Sequence, residues 1–187
     1  MKTVVCLYTG QGAVGNFDSY GFYTGQFSSC SPVVMYNQET HVGGLYHLPG
    51  KNGDEVGLQQ EWSNNILKIA EKVKPTTVKL FPSGNGSASS GGFVTGPPLQ
   101  YADKYGDRDY LQKMFTASGK IEVVVEQIGM LGIYVTADKG KLVIDKYKPS
   151  MGVKFCDLYH GNVPPNDCII FSPPDMNYKL WVPATYQ

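Results

Sequence analysis

The residues best suited to do chemistry are Cys30 and His47. They lie seventeen positions apart in the stretch T-G-Q-F-S-S-C-S-P-V-V-M-Y-N-Q-E-T-H-V-G-G-L-Y-H-L-P-G, from Thr24 to Gly50. A cysteine attacks a carbonyl carbon as thiolate, and a free thiol with pKa near ~8.5 is mostly protonated at neutral pH. It needs a base beside it, and a neutral imidazole is the natural one. The tetrahedral intermediate also needs donors. The small residues Ser28 and Ser29 let a substrate carbonyl approach the backbone N–H groups of the turn before Cys30, which would hold the oxyanion. A third group, a hydroxyl or carbonyl on an adjacent strand, should orient the imidazole.

Other residues offer weaker chemistry. His41 is six residues before His47. On one strand the two would share a face, but no third metal ligand is apparent, and a solvent-exposed turn histidine is the simpler reading. His160, in D-L-Y-H-G near Asp157, is a rival base but reads as a surface residue. Cys6 falls in an apolar run and reads as a small buried hydrophobe. Cys156 and Cys168 would bridge only in an oxidising compartment, and reduced thiols are the expected state. The absence of C-x-x-C argues against a zinc ribbon or thioredoxin motif, and no cofactor or metal is expected. Gly10, Gly12 and Gly15 have G-x-G-x-x-G spacing, yet no amphipathic helix opens after them. Residues 9–21 are therefore expected to be a loop, not a dinucleotide site. Asp107, Asp109, Glu122 and Glu126 read as solvated, and Trp62 as core.

The elements that must position the pair follow from periodicity. K-T-V-V-C-L-Y (2–8) reads as a buried strand, F-Y-T-G-Q-F (22–27) as a short strand, V-V-M-Y as a strand or a short helix leading into one, and H-V-G-G-L-Y-H-L as a strand. Its paired glycines would allow close backbone approach. N-Q-E-T is turn-like. Residues 54–73 predict a helix, with Leu58, Trp62, Ile66, Ile69 and Val73 on one face, Asp54 and Glu55 at the start, Lys72 and Lys74 at the end, and Pro75 closing it. T-T-V-K-L-F-P is a strand, S-G-N-G-S-A-S-S-G-G an exposed loop, and the segment around Tyr110, Leu111, Met114 and Phe115 a second helix ending at Gly119. K-I-E-V-V-V-E-Q-I-G is next, and L-G-I-Y-V-T and K-L-V-I-D-K-Y form a hairpin across A-D-K-G. This order predicts an α+β sandwich of β-sheets flanked by helices. It divides into a domain over 1–147 and a proline- and aromatic-rich extension, 148–187, packed on the same body.

Composition sets outer bounds. The chain has 187 residues, 42% apolar and 17% charged, enough to bury a core. Sixteen basic and sixteen acidic residues cancel, and Arg108 is the sole arginine, so nucleic-acid recognition is not expected. Twenty-two glycines and thirteen tyrosines favour strands and turns. No apolar run approaches the roughly 20 residues of a membrane span. The start, M-K-T-V-V-C-L-Y, reads as a first strand and not a signal peptide.

The Thr24–Gly50 stretch resembles the CheD family of chemoreceptor glutamine deamidases. Members of that family carry a nucleophilic Cys, a His seventeen residues after it in a G-G-x-x-H segment, and a Thr six before it; Cys30, His47 and Thr24 match these intervals. Leu48-Pro49 follows His47 directly, and the family's Gly-Ser before the cysteine is Ser28-Ser29 here. The later order of helix, strand, helix and hairpin is also similar over roughly 1–147. The fold is shared with deamidase toxins of the cytotoxic necrotizing factor type. The resemblance implies a Cys30–His47–Thr24 site that converts a protein glutamine to glutamate and ammonia, with Thr24 orienting His47 or holding the substrate amide. It also implies a glutamine-bearing protein as partner and a role in chemotaxis or as an effector. A monomer is expected, in the cytoplasm or exported without a signal peptide. The alternatives left open are a non-catalytic binding module with Cys30 structural, and a thiol protease or transglutaminase on the same pair.

Overall fold

The computed structural model describes residues 3–7, 9–25, 30–49, 60–81, 113, 115, 123–125, 132–146 and 169–171, and the account below concerns these. Ten strands and one long helix follow in the order β1 (Thr3–Leu7), β2 (Gly12–Asn16), β3 (Tyr20–Gly25), β4 (Ser31–Tyr36), β5 (Val42–Leu48), α1 (Gln60–Val73), β6 (Thr77–Leu80), β7 (Val123–Val125), β8 (Gly132–Asp138), β9 (Lys141–Lys146) and β10 (Ile169–Phe171). They form two sheets, ordered β1-β3-β8-β9 and β10-β2-β5-β4-β6-β7. Most neighbours are antiparallel; β1–β3 and β6–β7 are parallel. The architecture is α+β: two sheets face to face, with α1 on the outer face of the larger one.

Alternation along β4 and β5 builds both cores. Val34, Tyr36 and Leu45 face the smaller sheet and pack with Val5, Leu7, Phe17, Phe22, Ile133 and Val135. Val33, Met35, Tyr46 and Leu48 face the other way and pack with Ile66, Ile69 and Val73 of α1, and with Phe115. From Trp62 onward the predicted apolar stripe of the helix is thus the stripe it buries, Trp62 as a partly buried member; Leu58 lies outside the described residues. Ile66 and Ile69 are fully buried, each stabilising by about 1.5–3 kcal/mol. The helix ends where expected. Lys74 takes a left-handed φ of 48°, and Pro75 follows. Asn37 Nδ2 donates to the carbonyls of Val73 (3.2 Å) and Lys74 (2.7 Å). Asn37 Oδ1 accepts from the backbone N–H of Glu39 and Thr40, so one side chain closes the β4–β5 turn and ties it to the helix end.

The expected loop over residues 9–21 is in part a strand. Gly12–Asn16 form β2, which pairs with β5 inside the larger sheet. Its glycines and lack of alternation hid it. Gly12 lies under the helix, where a Cβ would come within 2.5 Å of Ile69, so small residues here make room for α1. No helix follows the strand, as expected. The paired glycines of β5 act likewise on opposite faces: a Cβ on Gly43 would meet the Phe17 ring at 2.2 Å, and one on Gly44 would meet Ile69 at 2.5 Å. Phe17 is fully buried and stacks on Tyr36, so it has nowhere to go. Gly43→Ala is expected to cost about 1–3 kcal/mol, read as a lower urea midpoint at unchanged slope.

The β8–β9 hairpin turns through Lys139 (φ 49°) and Gly140 (φ 74°), both positive as a two-residue type I′ turn needs. Its Gly140 carbonyl accepts from the Tyr36 hydroxyl (2.8 Å) and from Gln38 Nε2 (2.6 Å), which pins the two sheets together at that end. His41 falls outside β5, at a positive φ of 58°, and contacts Asp18 at 2.5 Å. It does not share a strand face with His47, and among the described residues no group of His, Cys, Asp or Glu could hold a metal ion. β10 joins the outer edge of the larger sheet beside β2. No described helix is long and apolar enough to cross a membrane. Residues 54–59, the 83–92 loop, the second helix apart from Lys113 and Phe115, Arg108, His160, Cys156 and Cys168 lie outside the described residues, as do the four carboxylates named above.

Candidate active site

Cys30 immediately precedes β4, and His47 sits on β5 opposite Pro32. The backbone of His47 turns away from β4: its N–H donates to the Gln11 carbonyl (2.9 Å) and its carbonyl accepts from the Gly10 N–H (2.8 Å). Pro32 therefore faces a residue that asks no hydrogen bond of it, and its missing donor costs nothing on that side. Such non-hydrogen-bonded pairs are the closest in an antiparallel ladder. Cys30, two residues before Pro32, is then the diagonal neighbour of His47. The seventeen-residue interval is the length of a hairpin that puts these positions together.

The smaller sheet supplies the third side chain. Leu7 of β1 and Thr24 of β3 are register partners, and Thr24 Oγ1 donates to the Leu7 carbonyl at 2.8 Å. The same oxygen lies 2.6 Å from His47 Nδ1. Thr24 has one hydroxyl hydrogen, and a carbonyl can only accept. With that hydrogen on Leu7, the ring nitrogen must be the donor to Thr24. Hydrogen accounting thus assigns the proton of the neutral imidazole to Nδ1 and leaves the lone pair on Nε2.

A fourth residue completes the group. Thr9, exposed in the link between β1 and β2, places Oγ1 3.4 Å from His47 Nε2 and 3.8 Å from Cys30 Sγ. Both contacts are long, as catalytic contacts often are before substrate binds. Sequence reasoning missed Thr9. A hydroxyl at a strand end is common, and only the pairing of β1 with β3 and of β2 with β5 brings this one between the thiol and the ring.

The site is buried at its base and reaches the surface at Thr9. Thr24 and His47 are 0% and 1% exposed, Cys30 is 8% exposed, and Thr9 is exposed above them. Burial pushes the imidazole pKa from 6.5 down to about 3, with the Leu7 carbonyl pulling the other way. His47 is thus neutral over the physiological range and can accept a proton at Nε2. Its orienting partners, a hydroxyl and a carbonyl, carry no charge. Such an arrangement can take up a thiol proton during attack.

Of the residues named from sequence, Cys30, His47 and Thr24 come together. Ser28 and Ser29 lie outside the described residues. Between its two expected roles, Thr24 takes the contact to the ring. Thr24→Val is expected to slow Cys30 alkylation at neutral pH roughly 10-fold to 10²-fold, with Thr24→Ser restoring most of the rate. Comparison with known proteins adds no family: no family model matches the chain, and no curated protein does.

Proposed function

We propose that this chain is a cysteine-dependent amidohydrolase that acts on the side-chain amide of a protein glutamine. One observation carries the reading: the Cys30 thiol and the lone-pair nitrogen of His47 meet at one hydroxyl, while the other ring nitrogen is held by Thr24. The resemblance of the Thr24–Gly50 stretch to the CheD deamidases supplies the substrate class.

In the proposed reaction His47 Nε2 takes the thiol proton as Sγ bonds to the amide carbon. The tetrahedral intermediate collapses, the C–N bond breaks, and ammonia leaves with the proton from His47. A water molecule, deprotonated by His47, attacks the thioester. Glutamate is released and the thiol is restored. Backbone N–H groups around Ser29 and Cys30 are the proposed oxyanion donors. The target would be a chemoreceptor-like protein of the same cell or, for an effector, a protein of another cell.

Incubating the full chain with a whole proteome and mapping glutamine-to-glutamate conversion by mass spectrometry tests this. Conversion at discrete sites, absent with the Cys30→Ala chain, is the expected result. Equal inertness of both chains would sink the enzyme reading. Peptide cleavage or amine incorporation would move the chemistry to a protease or transglutaminase. One observation favours a second reading, a binding module on the same fold: Cys30 packs within the core between the sheets.

A further inference from the structure

The hydrogens of the site can be counted outward from its buried end. The Leu7 carbonyl accepts from Thr24, and Thr24 accepts from Nδ1–H. Nε2 is therefore an acceptor, and the group that faces it is the Thr9 hydroxyl. With its hydrogen aimed at Nε2, Thr9 Oγ1 presents lone pairs to the other atom within reach, Cys30 Sγ. A thiol is a donor there. Every link then has one hydrogen and one acceptor, and all run the same way: Cys30 S–H to Thr9, Thr9 O–H to His47 Nε2, His47 Nδ1–H to Thr24, Thr24 O–H to Leu7. Reversing any one link leaves a lone pair facing a lone pair.

We propose that Thr9 is a catalytic residue of this site, its hydroxyl relaying the Cys30 thiol proton to His47 Nε2. The inference rests on the reading of Cys30 and His47 as nucleophile and base. In the step, the S–H bond breaks as a new O–H bond forms on Thr9, and the original Thr9 O–H bond breaks as N–H forms on His47. The sulfur keeps its electron pair and Thr9 ends as it began. Net, one proton has moved from Sγ to Nε2. The hydroxyl serves because a proton transfers along a hydrogen bond, and among the described residues Thr9 is the side chain that contacts both atoms. Its exposure at the mouth also puts the relay where an entering amide would press on it and shorten both contacts.

The test reads thiol activation directly, so it does not depend on knowing the substrate. Iodoacetamide alkylation of Cys30 is followed by peptide mapping in the full-length chain and its Thr9→Val, Thr9→Ser and His47→Asn variants, from pH 6 to above 10. At pH 6, Thr9→Val is expected to react about tenfold more slowly than wild type and His47→Asn at least as slowly, while Thr9→Ser stays near wild type. All four should converge at the alkaline end of the range, where hydroxide ion takes the place of His47 as the base. In mixtures of light and heavy water, the wild-type rate should bend as two protons in flight require, and the Thr9→Val rate should not. Thr9 is exposed, so valine there leaves the fold intact, and matched thermal melts check this. If Thr9→Val reacts as fast as wild type, or faster, while His47→Asn is slow, the relay is wrong and the pair stands. If His47→Asn also matches wild type, relay and pair fall together.

Discussion

Cys30→Ala is expected to lower glutamine-amide hydrolysis at least ~10³-fold while leaving stability nearly unchanged. Removing the sulfur deletes the covalent route entirely; what remains is substrate binding next to a neutral imidazole. The stability side rests on size. Cys30 is 8% exposed and packs in the core between the sheets, where alanine removes one small buried atom. Ammonia release and the urea midpoint, measured on the same preparations, separate the two effects. A large loss of activity with an unchanged midpoint is the signature of a nucleophile. Unchanged activity would end the enzyme reading, and loss of both together would mark Cys30 as a packing residue.

The second large effect is on stability in acid. The folded-state pKa of His47, about 3, lies below its ordinary value of 6.5 because burial disfavours the imidazolium. Above pH 6.5 the ring is neutral in both states, and the shift has no effect on folding. As pH falls below 6.5 the unfolded chain takes up a proton that the folded chain refuses, so stability falls. The slope is up to ~1.4 kcal/mol per pH unit, on the order of 4 kcal/mol by pH 3.5. That is a large part of the roughly 5–15 kcal/mol that holds a domain together. His47→Asn cannot take up this proton. Urea melts between pH 7 and 3.5 should therefore show the gap between wild type and variant shifting steadily in the variant's favour as pH drops. Parallel pH dependence in the two chains would show that the ring is more accessible than its 1% exposure implies. The same coupling predicts that the acid limb of catalysis tracks unfolding and not simple titration of a folded base.

Much of this was legible from the chain. The strand over Val42–Leu48 and the apolar stripe of the helix follow from periodicity, because a strand repeats every two residues and a helix every 3.6. The hairpin through Lys139 and Gly140 follows from turn chemistry. Cys30 and His47 could be named from residue type and interval, since a hairpin of that length returns His47 beside Cys30, whereas Thr24 was named through the resemblance to the CheD family. β2 was not legible. Its sequence, G-A-V-G-N, has neither alternation nor β-branched enrichment, and its strand state comes from β5 and β10 on either side. The strand begins one residue later than the H-V-G-G-L-Y-H-L segment, since a left-handed φ at His41 ends the alternation just before Val42, and His41 is the turn histidine that the sequence favoured.

What the sequence alone determined was which side chains carry reactive atoms and which segments repeat at strand or helix period, because those properties are local. The tertiary structure alone decided how the reactive atoms face one another. Thr24 meets the ring only because β3 lies in the opposite sheet, beside Leu7. Thr9 reaches both thiol and imidazole only because the β1–β2 link crosses between sheets at that end. The neutral state of His47 likewise comes from burial contributed by residues far apart in the chain, a desolvation no short stretch could supply.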